Sequence, residues 1–211
     1  MGILDGIEFL RQGFIQSRSV GAVWPSSKGL SRAMAAPILA DPRRPLRILE
    51  VGAGVGPVTH QLVHGLLPGD TLDIVELSPE FCAILRKRFA DAPIVPTVHQ
   101  ASILDHAPAQ PYHHIVSGLP LANFPAEMVE AVYHKFFDLL EPGGTFVMFE
   151  HIGFRDALAR VSVGEARRRI HRVLEFEKRL APLQVGQQDV VFNVPPARVR
   201  VRRRPVLIQA G

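Results

Sequence analysis

Apolar residues recur along this chain with two periods, and the way they alternate predicts the architecture. Short runs rich in Val, Ile and Leu, near 46–52, 71–77, 95–101, 113–119 and 144–151, have the length and breaker-bounded form of buried strands. Segments near 57–67, 79–90 and 126–141 instead space their apolar residues three and four apart, as one helix face does, and the last closes at Pro142-Gly143-Gly144. Strand and helix in regular alternation predict parallel βαβ units in one open sheet, whose ligands gather at the carboxyl ends of the strands. Farther on, the run 187–194 returns through Pro195-Pro196 to Val199-Arg200-Val201-Arg202, whose period-two valines and arginines predict a terminal hairpin with charge outward. The hairpin arginines Arg198, Arg200, Arg202, Arg203 and Arg204 are expected as exposed charge on an edge strand.

The first thirty residues follow another pattern. Ile3, Ile7, Leu10 and Phe14 make a helical stripe with Asp5, Glu8, Arg11 and Gln12 off it, an amphipathic helix over 3–17. Such a stripe needs an apolar surface, either the protein's own core or a lipid interface. A breaker-rich stretch with the only tryptophan, Val20 to Ser27, follows as a candidate lid, and a short helical pattern runs from Lys28 to Leu39.

Candidate chemistry centres on Ile48-Leu49-Glu50-Val51-Gly52-Ala53-Gly54-Val55-Gly56-Pro57. A strand breaks there into three glycines at alternate positions and a helix follows, so the turn accommodates a close ligand and the helix start offers free N–H groups. The third glycine comes one residue too early for the Gly-x-Gly-x-x-Gly string that binds pyrophosphate. Glu76 ends the next strand twenty residues past Gly56, where an acidic side chain accepts both hydroxyls of a ribose.

The glycine loop and Glu76 together resemble motif I and the following acidic motif of the class I S-adenosylmethionine-dependent methyltransferases, with Glu50 as the acid that precedes the glycines. The resemblance implies a Rossmann-like, mostly parallel seven-stranded α/β sheet with a C-terminal antiparallel hairpin. It also implies S-adenosylmethionine as cofactor and S-adenosylhomocysteine as product. By position, the backbone of Gly52, Gly54 and Gly56 then borders the methionine part, Glu50 its ammonium and Glu76 the ribose diol, with adenine near Leu77, Ser102 and Ile103. Where the family shows Gly-Asp-Ala, this chain has Ala101-Ser102-Ile103.

At the end of the fourth strand, Ser117-Gly118-Leu119-Pro120-Leu121 resembles the Pro-containing turn of amino-group methyltransferases. Compared with the Asn-Leu-Pro-aromatic turn of rRNA adenine dimethyltransferases, Gly118 and Leu121 remove the amide and the ring that would hold a flipped base. With Asn123-Phe124-Pro125 after it and Gly21 to Ser27 before, the turn is similar to that of bacterial phospholipid N-methyltransferases, which convert phosphatidylethanolamine stepwise to phosphatidylcholine. That resemblance makes the Ser117 hydroxyl and the Leu119 carbonyl the groups that orient the amine, with no nucleophilic side chain required. It makes Trp24, Ser26, Ser27, Gly118, Pro120 and the arginines Arg167, Arg168, Arg169 and Arg172 the substrate-binding set. Residues 1–28 then form a docking helix and lid, and 29–211 the catalytic domain. An rRNA adenine N6-methyltransferase and a non-catalytic cofactor- and lipid-binding protein remain as the other readings.

Charge sharpens this picture. Basic and acidic residues number four and two over 1–32, seven and thirteen over 33–151, and thirteen and five over 152–211. The acidic middle suits a sulfonium cofactor and the basic C-terminal part suits phosphates, here those of phosphatidylethanolamine and an anionic membrane surface, with no nucleic acid expected. The single cysteine, Cys82, excludes an internal disulfide framework and sits in a helical pattern as a core residue, which points to a reducing compartment. No run reaches transmembrane length and the N-terminus lacks a signal-peptide pattern, so the expected location is cytoplasmic, at the inner face of the membrane. His60 and His64 lack a completing carboxylate or cysteine, so no metal is expected.

Overall fold

A computed structural model describes residues 27–121, 124–153 and 162–206. Its elements run α1 (Lys28–Leu39), β1 (Arg47–Val51), α2 (Pro57–Gly65), β2 (Thr71–Glu76), α3 (Pro79–Arg88), β3 (Thr97–Gln100) and β4 (Tyr112–Ser117). They continue α4 (Ala126–Leu139), β5 (Leu140–His151), α5 (Gly164–Arg179), a 3-10 turn (Ala181–Leu183), β6 (Gln184–Val190) and β7 (Ala197–Arg203). One seven-stranded sheet has the order β3-β2-β1-β4-β5-β7-β6. The first five strands pair in parallel and the last two antiparallel. The doubly wound sheet with a terminal antiparallel pair is therefore present.

Helices on both faces explain why β1 and β4 are almost continuously buried. Ile48, Ile74, Val116, Val147 and Val199 form one core with α1, α2 and α3, through Met34, Ile38, Leu62 and Leu85. Leu49, Val75, Ile115, Phe146 and Met148 form the other with α4 and α5, through Val132, Phe136, Val173 and Phe176. Local chemistry sets the helix starts. The Ser27 and Ser78 hydroxyls accept the N–H groups of Leu30 and Phe81 at 3.2 and 3.3 Å. Pro57 and Pro79 stand in first turns, where a missing N–H costs nothing.

Three boundaries differ from the sequence pattern. β3 spans only Thr97–Gln100, because it is an edge strand and Pro96 before it has no N–H to give a ladder. β6 begins at Gln184 rather than 187, since an edge strand with Gln184, Gln187 and Gln188 along it carries little apolar signal. β5 begins at Leu140, which bridges Tyr112 before the register shifts.

The expectation for the hairpin arginines is corrected. β7 lies between β5 and β6, so it is not an edge. Its valines meet the α1 side, and Arg198, Arg200 and Arg202 lie on the α4–α5 side, whereas Arg203, at the end of the strand, is exposed as expected. Arg198 holds Asp189 with two hydrogen bonds and Arg200 holds Glu150. Arg202 is 3% exposed. Its guanidinium lies over Tyr133 and Phe146 at 5.4 and 5.9 Å and donates to the Tyr133 hydroxyl at 3.0 Å. Residues 3–17, including the predicted amphipathic helix, lie outside the described residues.

Because the Arg202 stem fills space between two rings, its packing outweighs its charge. Arg202→Ala is expected to cost about 2–4 kcal/mol and Arg202→Met less than half of that. Urea unfolding of the two variants checks the difference.

Candidate active site

The glycine turn is fastened from both sides of β1. Gly52 N–H donates to the Val75 carbonyl of β2 at 2.9 Å, and Gly118 N–H donates to the Val51 carbonyl at 2.8 Å. The two turns approach so closely that a Cβ on Gly118 would stand 2.6 Å from the Gly52 carbonyl oxygen. Any side chain at 118 is thereby excluded, which gives a physical reason for glycine in this turn where the similar turn of rRNA adenine dimethyltransferases has asparagine. Gly52, Gly54 and Gly56 all have positive φ. Around Gly54 there is open space, whereas a Cβ on Gly56 would strike the Phe89 ring at 2.6 Å. The second glycine thus leaves room for a ligand, and the third lets α2 start close to Phe89.

Two buried carboxylates flank this turn. Glu76, 1% exposed, accepts Gly54 N–H at 3.0 Å and Ser78 N–H at 2.9 Å, so it ties the glycine loop to the end of β2. Behind it the Cys82 thiol donates to the Glu76 carbonyl, and burial pushes that thiol's pKa up, as befits a core residue. Glu50, 2% exposed, accepts the Thr59 hydroxyl at 2.7 Å and so anchors the first turn of α2. Burial raises its carboxyl pKa to about 7; the Thr59 hydrogen bonds oppose the rise and the Glu76 charge adds to it.

Between the ends of β2, β1 and β4 lies a recess of about 380 Å³, counting the solvent at its mouth. Gly52, Glu76, Leu77, Ser102, Ile103 and Leu119 line it, so six of the residues singled out in the sequence converge there. Val51, Val75, Ala101 and Phe124 complete the lining. Of these Phe124 was visible in the sequence only as the aromatic after the proline turn; the other three are strand-end residues with no chemical signal. The Ser102 hydroxyl accepts Leu104 N–H at 3.2 Å, which forms the turn that brings Ile103 to the recess. At the β4 turn the Ser117 hydroxyl accepts Leu119 N–H at 3.3 Å, and the Leu119 carbonyl accepts Leu121 N–H at 2.9 Å. Each oxygen keeps a second lone pair.

Other candidates lie apart from the recess. Ser27 caps α1, and Trp24 and Ser26 lie outside the described residues. Arg167, Arg168 and Arg169 are exposed on the first turns of α5, and Arg172 bonds Glu127 at 2.5 Å. Tyr133 is buried against Met148 and Arg202 and is not among the residues lining the recess. His151 lies at the end of β5, its ring edge-on to Phe149. His60 and His64 stack on each other at 4.4 Å.

An adenosyl compound with an amino-acid tail fits this construction. The recess offers apolar walls for a flat ring, a buried carboxylate at the strand end for a diol, and a turn left open beside Gly54 for a polar tail. The comparisons with known proteins agree. Residues 48–144 match a methyltransferase-domain family. An ornithine lipid N-methyltransferase of Singulisphaera acidiphila is 30% identical over 147 residues, 67% of this chain and 76% of that protein. Magnesium protoporphyrin IX methyltransferase of Synechocystis PCC 6803, solved with bound S-adenosylmethionine, superposes with a TM-score of 0.61 at 13% identity, over 84% of this chain and 79% of that one. The N-methyltransferase NodS of Bradyrhizobium japonicum WM9, solved with S-adenosylhomocysteine, gives 0.56 at 18% identity, over 82% and 83%. The two structures speak for the fold; with the lipid-enzyme relative and the glycine–Glu76 site, they show that the chain belongs to the class I S-adenosylmethionine-dependent methyltransferases and uses S-adenosylmethionine as its cofactor.

Proposed function

We propose that this protein methylates the headgroup amine of a membrane lipid, with phosphatidylethanolamine and its mono- and dimethyl derivatives as substrates and phosphatidylcholine as end product. The observation that carries the lipid reading is the 30% identity with an ornithine lipid N-methyltransferase. The same observation favours a second substrate, the amine of an ornithine lipid. Either amine sits on a lipid whose chains stay in the bilayer, so the protein acts as a peripheral one at the inner face of the cell membrane. No helix among the described residues is long and apolar enough to cross a membrane.

When bound, S-adenosylmethionine supplies a methyl group already activated by its positive sulfur. What the chain contributes is placement and exclusion of water. In this reading Glu76 takes the ribose hydroxyls, while Glu50 and the backbone of Gly52, Gly54 and Gly56 face the amino-acid tail. Leu77, Ser102 and Ile103 border adenine. The free lone pairs of the Leu119 carbonyl and the Ser117 hydroxyl hold the acceptor amine, with Gly118 and Pro120 shaping that turn. Trp24, Ser26, Ser27, Arg167, Arg168, Arg169 and Arg172 serve the headgroup and its phosphate, and residues 1–28 dock and cover.

The first test incubates the protein with methyl-labelled S-adenosylmethionine and vesicles containing phosphatidylethanolamine or ornithine lipid in an anionic background. Lipids heavier by one, two or three methyl groups are expected by mass spectrometry, and label in neither lipid would sink the reading. Glu76→Ala is expected to weaken cofactor binding at least 10-fold, because it removes charged hydrogen bonds to the diol and releases Gly54. Isothermal titration measures that loss.

Glu50 supplies a pH test. Its folded-state pKa is raised from an ordinary 4.5 to about 7, so the folded protein holds the proton that the unfolded chain releases. Stability of the cofactor-free protein is therefore expected to fall as pH rises from 4.5 through 7. Cofactor affinity is expected to rise over the upper part of that window as the carboxylate facing the ammonium ionises. Glu50→Gln should flatten both slopes, in melting curves and titrations taken between pH 5 and 8.

A further inference from the structure

Of the exposed large apolar side chains among the described residues, Leu67, Ile84, Val95, Val185 and Val206 are scattered, while Val55, Ile152, Val163, Val191, Phe192 and Val194 belong to segments at the carboxyl ends of the strands. Three of them share the β6–β7 turn, where Phe192 is 95% exposed, Val194 68% and Val191 60%. The turn is built, since Asn193, 6% exposed, donates its side-chain amide to the Pro195 carbonyl at 2.7 Å and its N–H to the Val190 carbonyl. Ile152 N–H donates to the Pro196 carbonyl and fastens the base of the turn to the end of β5. A folded turn that buries its asparagine and presents phenylalanine and valine to solvent reverses the usual order.

A second feature projects at the same end. α5 runs alongside α4, with Arg172 bonded to Glu127 in the first turn of α4 and Glu177 beside Tyr133 farther down. Eight residues of α5, 164–171, therefore extend roughly 12 Å along its axis past the start of α4. Arg167, Arg168 and Arg169 are exposed there, with Glu165 as the one acid in those turns. An apolar tip beside a projecting cationic helix end complements an anionic bilayer, with apolar groups in its interface and arginines at its phosphates.

We propose that the Val191–Pro196 turn is a membrane-inserting wedge, seated in an anionic lipid bilayer with the first two turns of α5 over the headgroups. It joins strands that stand two and three places from β4, so about 10–14 Å across the sheet separates the wedge from the β4 turn at the near wall of the recess. The inference deepens the lipid-amine reading and rests on it for the choice of a bilayer as occupant.

The test replaces Val191, Phe192 and Val194 together by serine and measures co-sedimentation with vesicles of phosphatidylethanolamine and phosphatidylglycerol. Vesicle affinity is expected to fall at least 10-fold and to stay low at reduced salt, with melting temperature, cofactor affinity and methylation of a dispersed short-chain lipid unchanged. Arg167→Gln, Arg168→Gln and Arg169→Gln together should instead remove most of the salt dependence of vesicle binding. Wild-type affinity in the serine variant would overturn the wedge. So would a wild-type dimer that the variant converts to a monomer, since the tip would then seat a second copy. A drop in melting temperature with vesicle binding intact would assign the tip to cover by residues 1–26. If the wedge mediates vesicle binding while no lipid is methylated, the inference stands and the substrate reading falls. If lipid is methylated and the variant binds vesicles like wild type, only the wedge falls.

Discussion

The site depends on the near-contact of two backbones, Gly52 at the end of β1 and Gly118 at the end of β4. β1 gives its last carbonyl, that of Val51, to Gly118 and takes one from Val75 through Gly52, so its end is bonded to both neighbouring strands. The 2.6 Å left for a Cβ at 118 means that no side chain can separate the turns. This sets the β4 turn against the end of β1, so that Leu119 of that turn and Gly52 line the same recess. A methyl donor and its acceptor must lie within van der Waals contact for transfer, which such an approach allows.

Around that contact the fold separates rigid and open parts. Glu76, Glu50 and Asp70 are buried and each holds backbone or hydroxyl donors, Asp70 accepting the N–H groups of Leu46 and Leu67. These carboxylates fix the loops on either side of β1 and β2. The arginines divide in the same way. Arg198, Arg200 and Arg202 are held by Asp189, Glu150 and the Tyr133 phenol, so β7 spends its charge on the fold. On α5, Arg167, Arg168 and Arg169 remain exposed. Part of the positive charge after residue 151 is therefore held within the fold, so its effect is smaller than composition implies.

The order of elements, the parallel sheet and the converging strand ends were legible because buried strands and amphipathic helices leave different apolar periods. That Gly52, Glu76 and Leu77 meet at one recess was legible because a glycine turn and an acidic strand end fall at the carboxyl ends of neighbouring parallel strands. Edge strand β6 was read three residues late at its start and four too far at its end, since Gln187 and Gln188 face water and the apolar run Val190–Phe192 continues into the turn. The burial of Arg202 was hidden, because alternation of valine and arginine looks alike whether the second face meets water or the rings of Tyr133 and Phe146. Thr59 was invisible as the partner of Glu50, nine residues away, until helix α2 folded back over β1. Gly118 looked like the loss of an asparagine; the three-dimensional approach of Gly52 turned it into a requirement.

The exposed tip between β6 and β7 bears on how such an enzyme meets a substrate it cannot extract. A recess at the carboxyl ends of the strands opens in the direction in which the tip and the first turns of α5 project. If a bilayer lies across that end, the headgroup amine needs to move only within the interface while the acyl chains stay solvated by lipid, so the apolar surface of the chains is never transferred to water. The antiparallel pair then has a role beyond closing the sheet. Because β7 is antiparallel to both β5 and β6, β6 runs in the same direction as β5, so it ends, and presents Phe192, at the ligand end of the molecule.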